Sequence, residues 1–155
     1  MKVHLWGMGA ASDDWVKNGE QMYTQRINRY LPFEYKCFQI TKHKETQKVL
    51  TEEGKWVNQQ LATTPSKLIL LDEGGIQYSS VELSQKLEVW RQGSHRRLIF
   101  LIGSAYGFDT SVYDAADEKM ALSKMTLPHQ LCRLLMLEQL YRACTILRGE
   151  SYHHA

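Results

Sequence analysis

Four side chains able to do chemistry, His129, Arg133, Glu138 and Arg142, lie within a stretch whose other members are mostly apolar. Glu138 and Arg142 are four apart, the spacing that pairs a carboxylate with a guanidinium on one helix face. Charge in a segment that is apolar on nearly every face needs a partner or a task, because burying it unpaired is costly. Arg133, nine residues before Arg142, is read as a third member of this polar set. The stripe Arg133, Glu138, Arg142 is therefore a candidate site that could orient a polar substrate or hold developing charge. The plainer alternative is an ordinary intrahelical ion pair. His129 sits at the start of the same helix, either as a polar first-turn residue or as a contact to substrate.

Other chemistries find less support. Gly103-Ser104-Ala105-Tyr106-Gly107 lacks the spacing of a serine nucleophile elbow. It also lacks the third glycine of a dinucleotide fingerprint and the Lys-Ser/Thr of a Walker loop. His129 has no partner at metal-ligand spacing, and His153 and His154 are neighbours on a tail, so no metal is expected. Cys37, Cys132 and Cys144 form no CxxC pair and read as free thiols in a reducing cytoplasm.

These residues must be positioned by an alternating series of elements. VHLWG (3–7) is a short apolar strand, and Asp13 or Asp14 caps a helix carrying Trp15, Tyr23 and Ile27. FEYKCFQI (33–40) alternates as an edge strand, and residues 46–62 make a second helix. KLILLD (67–72) and RLIFLIG (97–103) are continuous apolar runs, the mark of buried parallel strands. EGGIQYSS between them reads as a loop, with Ser79 or Ser80 capping a helix that buries Leu83, Leu87 and Trp90. A short helix is expected near 111–119, a last strand over 120–126, and a long helix over 128–148. Thr126 is the expected cap of that helix, with Pro128 in its first turn. Strand and helix in this order predict an α/β fold with a mostly parallel sheet. Ligands of such sheets bind beyond the carboxyl ends of the strands. Here that points to the loops at 71–75, 102–107 and 122–128.

The chain of 155 residues suits one domain, 1–155. Nineteen Lys and Arg against seventeen Asp and Glu leave a net charge of +2, too little for a global field that attracts nucleic acid. Lys42-His43-Lys44 and His95-Arg96-Arg97 are local basic clusters, with solvated loops as the default reading. No run approaches the length of a membrane span, and the start MKVHLWGMG reads as a strand rather than a secretory signal.

IGSAYG (102–107), LSKMTLPHQLCR (122–133), LEQLYRA (137–143) and SYHH (151–154) together resemble the RlmH family of SPOUT-class methyltransferases, and the similarity runs from end to end. The resemblance implies a SPOUT-type α/β knot, with a C-terminal trefoil knot over about 100–150, in a cytoplasmic homodimer. It implies S-adenosylmethionine (SAM) as cofactor and N3 of a pseudouridine in the helix-69 loop of 23S rRNA as target, methylated on the assembled 70S ribosome. By the same resemblance, cofactor contacts fall on Leu71, Gly103, Gly107, Leu122, Ser123, Lys124, Met125, Thr126, Leu127 and Pro128. Catalysis falls on His153, the favoured proton acceptor, with Glu138, Arg142 and Tyr152. RNA contacts fall on His129, Arg133 and Lys124. The family reads Ile-Gly-Gly where this chain has Ile102-Gly103-Ser104. If that position needs a left-handed backbone, the serine costs roughly 1 kcal/mol or more. The alternatives are a knotted binding protein without catalysis, or a SPOUT enzyme for another RNA.

Overall fold

The computed structural model describes residues 1–42 and 44–154; His43, the centre of the first basic cluster, lies outside the described residues. The elements run β1 (Lys2–Met8), α1 (Asp14–Ile27), β2 (Phe33–Phe38), α2 (Thr46–Thr63), β3 (Ser66–Gln77), α3 (Ser80–Arg91), β4 (Arg97–Ile102), α4 (Thr110–Ala115), β5 (Glu118–Ala121) and α5 (His129–Leu147). The five strands form one sheet in the order β2-β1-β4-β3-β5, and every pairing is parallel.

Because side chains alternate along a strand, each strand feeds two cores. Val3, Leu5, Ile69, Leu71, Leu98 and Phe100 face a cluster completed by Ile27 of α1, Leu83 and Leu87 of α3, and Met136, Leu137 and Leu140 of α5. Trp6, Met8, Leu68, Leu70, Ile99 and Leu101 face Val57 of α2 and Val112 of α4. Both faces of the central strands are thus covered, which explains why KLILL and RLIFLI are apolar without alternation. α3 starts with a full capping box between Ser79 and Glu82, a signal present in the sequence.

Three local readings differ from expectation. β3 does not stop at Asp72 but continues through Glu73–Gln77, with a bulge that sets both Leu71 and Ile76 opposite Met120. The glycine pair is part of a strand because a Cβ at Gly75 would lie 2.5 Å from the Met120 backbone nitrogen; only glycine lets the strands meet there. β5 ends at Ala121, earlier than residue 126, so 122–128 is free of ladder bonds and available to line a site. Pro128, not Thr126, occupies the N-cap of α5, and no side chain caps that end.

Candidate functional site

A cleft of about 690 Å³ opens at the carboxyl ends of β3, β4 and β5. Leu71, Asp72 and Glu73 come from β3, Ile102 to Ala105 with Gly107 and Phe108 from the loop after β4, and Ala121 to Ser123 with Met125 to Pro128 from the segment after β5. His129 and Cys132 of α5 close it. The three loops expected from the strand pattern therefore meet in one place. Its size is that of a site for a small organic ligand. Of the residues expected here, Leu71, Gly103, Gly107, Leu122, Ser123, Met125, Thr126, Leu127 and Pro128 form the wall. Lys124 does not: it is exposed beside the cleft. Asp72 and Glu73 lie in the 71–75 segment that the strand pattern points to, whereas Phe108 and Cys132 are wall residues that the sequence reading missed.

The loop after β4 is held tightly. A Cβ on Gly103 would stand 2.7 Å from the Gly107 carbonyl oxygen, and Gly107 takes φ +84°, so both glycines are required. Ser104 pairs with Gly107 as an isolated bridge, its carbonyl accepting from the Gly107 N–H at 3.0 Å. Among the described residues none but glycine has a positive φ, Ser104 included, so the backbone cost foreseen for Ser104 does not arise. Its hydroxyl instead donates to Glu53 Oε1 of α2 at 2.9 Å. Burial pushes the Glu53 carboxyl upward, and the Ser104 bond partly offsets this.

The electrostatics of the wall are one-sided. Among the described residues Asp72 and Glu73 are its carboxylates, and no lysine or arginine contributes to it. Asp72 is fixed, with Oδ1 accepting from the Gly74 N–H at 2.8 Å and Oδ2 from the Tyr113 hydroxyl at 2.6 Å. Burial, then the neighbouring Arg133, pushes His129 downward, which favours a neutral imidazole. Burial pushes the Cys132 thiol up to about 11, so it is no nucleophile at neutral pH. The first-turn N–H groups of α5 add a small positive end at the opposite rim.

Arg133 is a correction. It is not on the side of Glu138 and Arg142, and it cannot touch RNA phosphate, because it is 0% exposed. Its guanidinium runs under Gly7, donates to Ala10 O at 3.1 Å and Ser12 Oγ at 3.0 Å, and lies 4.0 Å from Glu20. Glu20 in turn accepts from Ser12 at 2.8 Å and from the Tyr35 hydroxyl. Arg133 thus ties α5 to β1 and α1 and is a structural charge. Of the His95–Arg97 cluster, Arg97 is likewise anchored, at the amino end of β4. Arg97 donates to Ser66 Oγ and Gln60 O at 2.8 Å and lies over the Trp6 ring.

Glu138, Arg142, Tyr152 and His153 do come together, on the outer part of α5. Arg142 Nε donates to Glu138 Oε1 at 3.1 Å, Tyr152 donates to the same oxygen at 3.0 Å, and Arg142 lies over the Tyr152 ring at 4.8 Å. Gln139 donates to Glu138 Oε2 at 2.8 Å, so both oxygens of this carboxylate are engaged. Arg142 Nη1 stands 3.1 Å from His153 Nδ1. A guanidinium has only donors, so Nδ1 is the acceptor and the neutral imidazole carries its proton on Nε2. His153 therefore presents a donor, not the lone pair expected of a proton acceptor. None of the four lines the cleft. Arg142 is ten residues beyond Cys132, which on a helix is about 15 Å.

A parallel sheet with a backbone-lined cleft at its carboxyl edge, closed by a helix that returns from the edge strand to the middle, is the architecture of one class of methylase. A family model described as "Predicted SPOUT methyltransferase" matches residues 1–153. A probable methylase family protein from Haemophilus influenzae Rd KW20 shares the fold, with TM-score 0.56 at 7% identity, over 99% of this chain and 70% of that one. More particularly, the chain is 46% identical to a ribosomal RNA large subunit methyltransferase H from Cytophaga hutchinsonii, over 99% of this chain and all of that protein. It is 38% identical to the protein of that name from Geobacter metallireducens over the full length of both. The chain belongs to the ribosomal RNA large subunit methyltransferase H family of SPOUT methyltransferases.

Proposed function

We propose that this protein methylates N3 of a pseudouridine in the helix-69 loop of 23S ribosomal RNA, using SAM, as a homodimer on the assembled ribosome in the cytoplasm. The observation that carries the cofactor assignment is the charge of the cleft. Among the described residues its wall has two carboxylates, one histidine whose burial disfavours the charged form, no lysine or arginine, and three strand-end loops. Such a wall suits a ligand with cationic sulfonium and ammonium groups and an adenine held by backbone, and it repels a chain of phosphates. The uncapped first turn of α5 suits the ligand's carboxylate. Leu71, Ile102, Leu122 and Leu127 supply apolar surface for the base. When bound, SAM supplies an electrophilic methyl group.

The chain's own residues would orient the acceptor and balance charge. N3 of the base must lose a proton before or during transfer. Glu138 and Tyr152 fix Arg142, and Arg142 fixes the tautomer of His153. The half-buried Arg142 guanidinium and His153 Nε2–H would then be two donors suited to the carbonyl oxygens on which the negative charge spreads once N3 is deprotonated. His129, kept neutral at the cleft, and exposed Lys124 are placed to meet RNA at its rim.

The cleft and this cluster are too far apart to serve one reaction within one chain. A second copy can bring them together. Exposed Trp15 and Met22 of α1 and Leu135 of α5 offer apolar surface for that contact. We also read residues 1–155 as one domain, with a trefoil thread where the chain leaves β5 at the sheet edge and returns through α5 to the middle. Calorimetry tests the cofactor assignment: SAM is expected to bind and ATP to give no heat. Binding of ATP in preference to SAM would overturn it in favour of a non-catalytic nucleotide-binding protein.

A further inference from the structure

The residue that departs from the family pattern is not isolated. Ser104 belongs to the Gly103–Gly107 turn in the cleft wall, and its hydroxyl reaches Glu53, a carboxylate only 8% exposed on α2. Among the described residues no lysine, arginine or histidine pairs with Glu53, and the hydroxyl of Ser104 is a hydrogen-bond donor to this buried acid. A carboxyl group is costly to bury without donors. Glu53 has no evident use in the core, since α2 packs through Val49 and Val57. Two further contacts tie the same helix to the same loop. Gly54 lies against Asp109, where a Cβ would come within 2.9 Å of the Asp109 Cβ, and Asn58 donates to Ser111 at 3.2 Å. α2 therefore holds the loop at both ends, and the Ser104 bond is the attachment inside the cleft wall.

We propose that Ser104 and Glu53 are a positioning pair that sets the Gly103–Gly107 turn for the cleft's ligand. Serine would thus replace the freedom of a second glycine with a fixed tether to α2. A loop that binds through its backbone gains affinity when its shape is set beforehand, because less ordering remains for the binding step. Neither residue need touch the methyl group or the RNA. The proposal rests on the SAM reading above.

The test uses the full chain and SAM itself. Ser104→Ala and Glu53→Ala are each expected to raise the SAM Kd about fivefold, in keeping with the loss of one charge-assisted hydrogen bond. The double variant should be no worse than either single one, since both remove the same bond. Glu53→Gln, whose amide oxygen accepts the same bond, should bind SAM within about twofold of the parent, which also covers the case in which Glu53→Ala fails to fold. In turnover, the loss should fall on KM for SAM and not on kcat. Without any ligand, amide exchange at residues 103–107 should accelerate in Ser104→Ala while the β4 amides stay protected. An unchanged Kd in Ser104→Ala, or losses that add in the double variant, would overturn the pair. Absence of SAM binding by the parent chain would instead overturn the cofactor reading.

Discussion

At the scale of single residues, two ionisable groups, buried His4 and half-buried Arg142, decide more than their neighbours. His4 of β1 is 7% exposed, and burial pushes its pKa down to about 4, against the opposing pull of Glu34. In the unfolded chain the imidazole titrates near its ordinary value of 6.5. The folded pKa is therefore the lower one, so the unfolded state takes up the proton first. Stability is full above about pH 6.5, falls as pH drops towards 4, and changes no further from this group below that, a loss of up to about 3 kcal/mol. Urea unfolding between pH 7.5 and 4.5 should show this slope, and His4→Gln should flatten it by close to one proton. Equal slopes in the two proteins would remove His4 from the account. Arg142 makes the second case. Its Nε and Nη1 serve different partners, Glu138 and His153, in a planar fork that lysine cannot copy. Arg142→Lys should lower the single-turnover rate by about 100-fold, the scale of one lost oxyanion donor, with the SAM Kd unchanged. A near-normal rate would show that the cluster has no part in charge stabilisation.

At the scale of elements, the hydrophobic runs and caps were legible because each has a local cause. LILL and LIFLI read as buried strands, and Ser79 or Ser80 as a helix cap, from neighbours within a few residues. What was not legible depended on partners distant in sequence. Gly74-Gly75 looks like a loop until Met120 is seen lying against it. Arg133 groups with Glu138 and Arg142 as one polar stripe in the sequence, yet nine residues are about two and a half helical turns, which sets it opposite Arg142, and Gly7, Ala10 and Ser12 hold it inside. Ser104 looked like a strained replacement of glycine, and only the fold shows its ordinary backbone and its partner on α2. The cleft loops were located by the rule that sites form at strand carboxyl ends, while the acidic character of the wall needed the structure. The β3 extension yields a direct prediction. Gly75→Ala puts a methyl group against the β5 backbone, where nothing flexible can yield. It should destabilise the protein by about 1–3 kcal/mol, the usual range for overpacking, read as a lower midpoint in thermal unfolding. An unchanged midpoint would mean that β3 and β5 separate there at little cost.

At the scale of the whole molecule, the positions of two groups frame the argument. The cleft lies at the carboxyl edge of the sheet, and the tail cluster lies farther along α5. A two-fold dimer is the simplest assembly that can place one subunit's cluster over the other's cleft. Leu135, 43% exposed on α5, is a place to test it. Leu135→Glu should give a folded monomer in sedimentation that still binds SAM but transfers no methyl group; a folded monomer with full activity would end the composite-site reading. The measurement that bears most directly on the central claim is transfer of tritium from methyl-labelled SAM to ribosomes purified from cells lacking this gene, followed by mapping of the labelled base. The account predicts label at N3 of a pseudouridine in the helix-69 loop of 23S RNA, on whole ribosomes and not on naked RNA. Label on another RNA, or none from a protein that binds SAM, would contradict it.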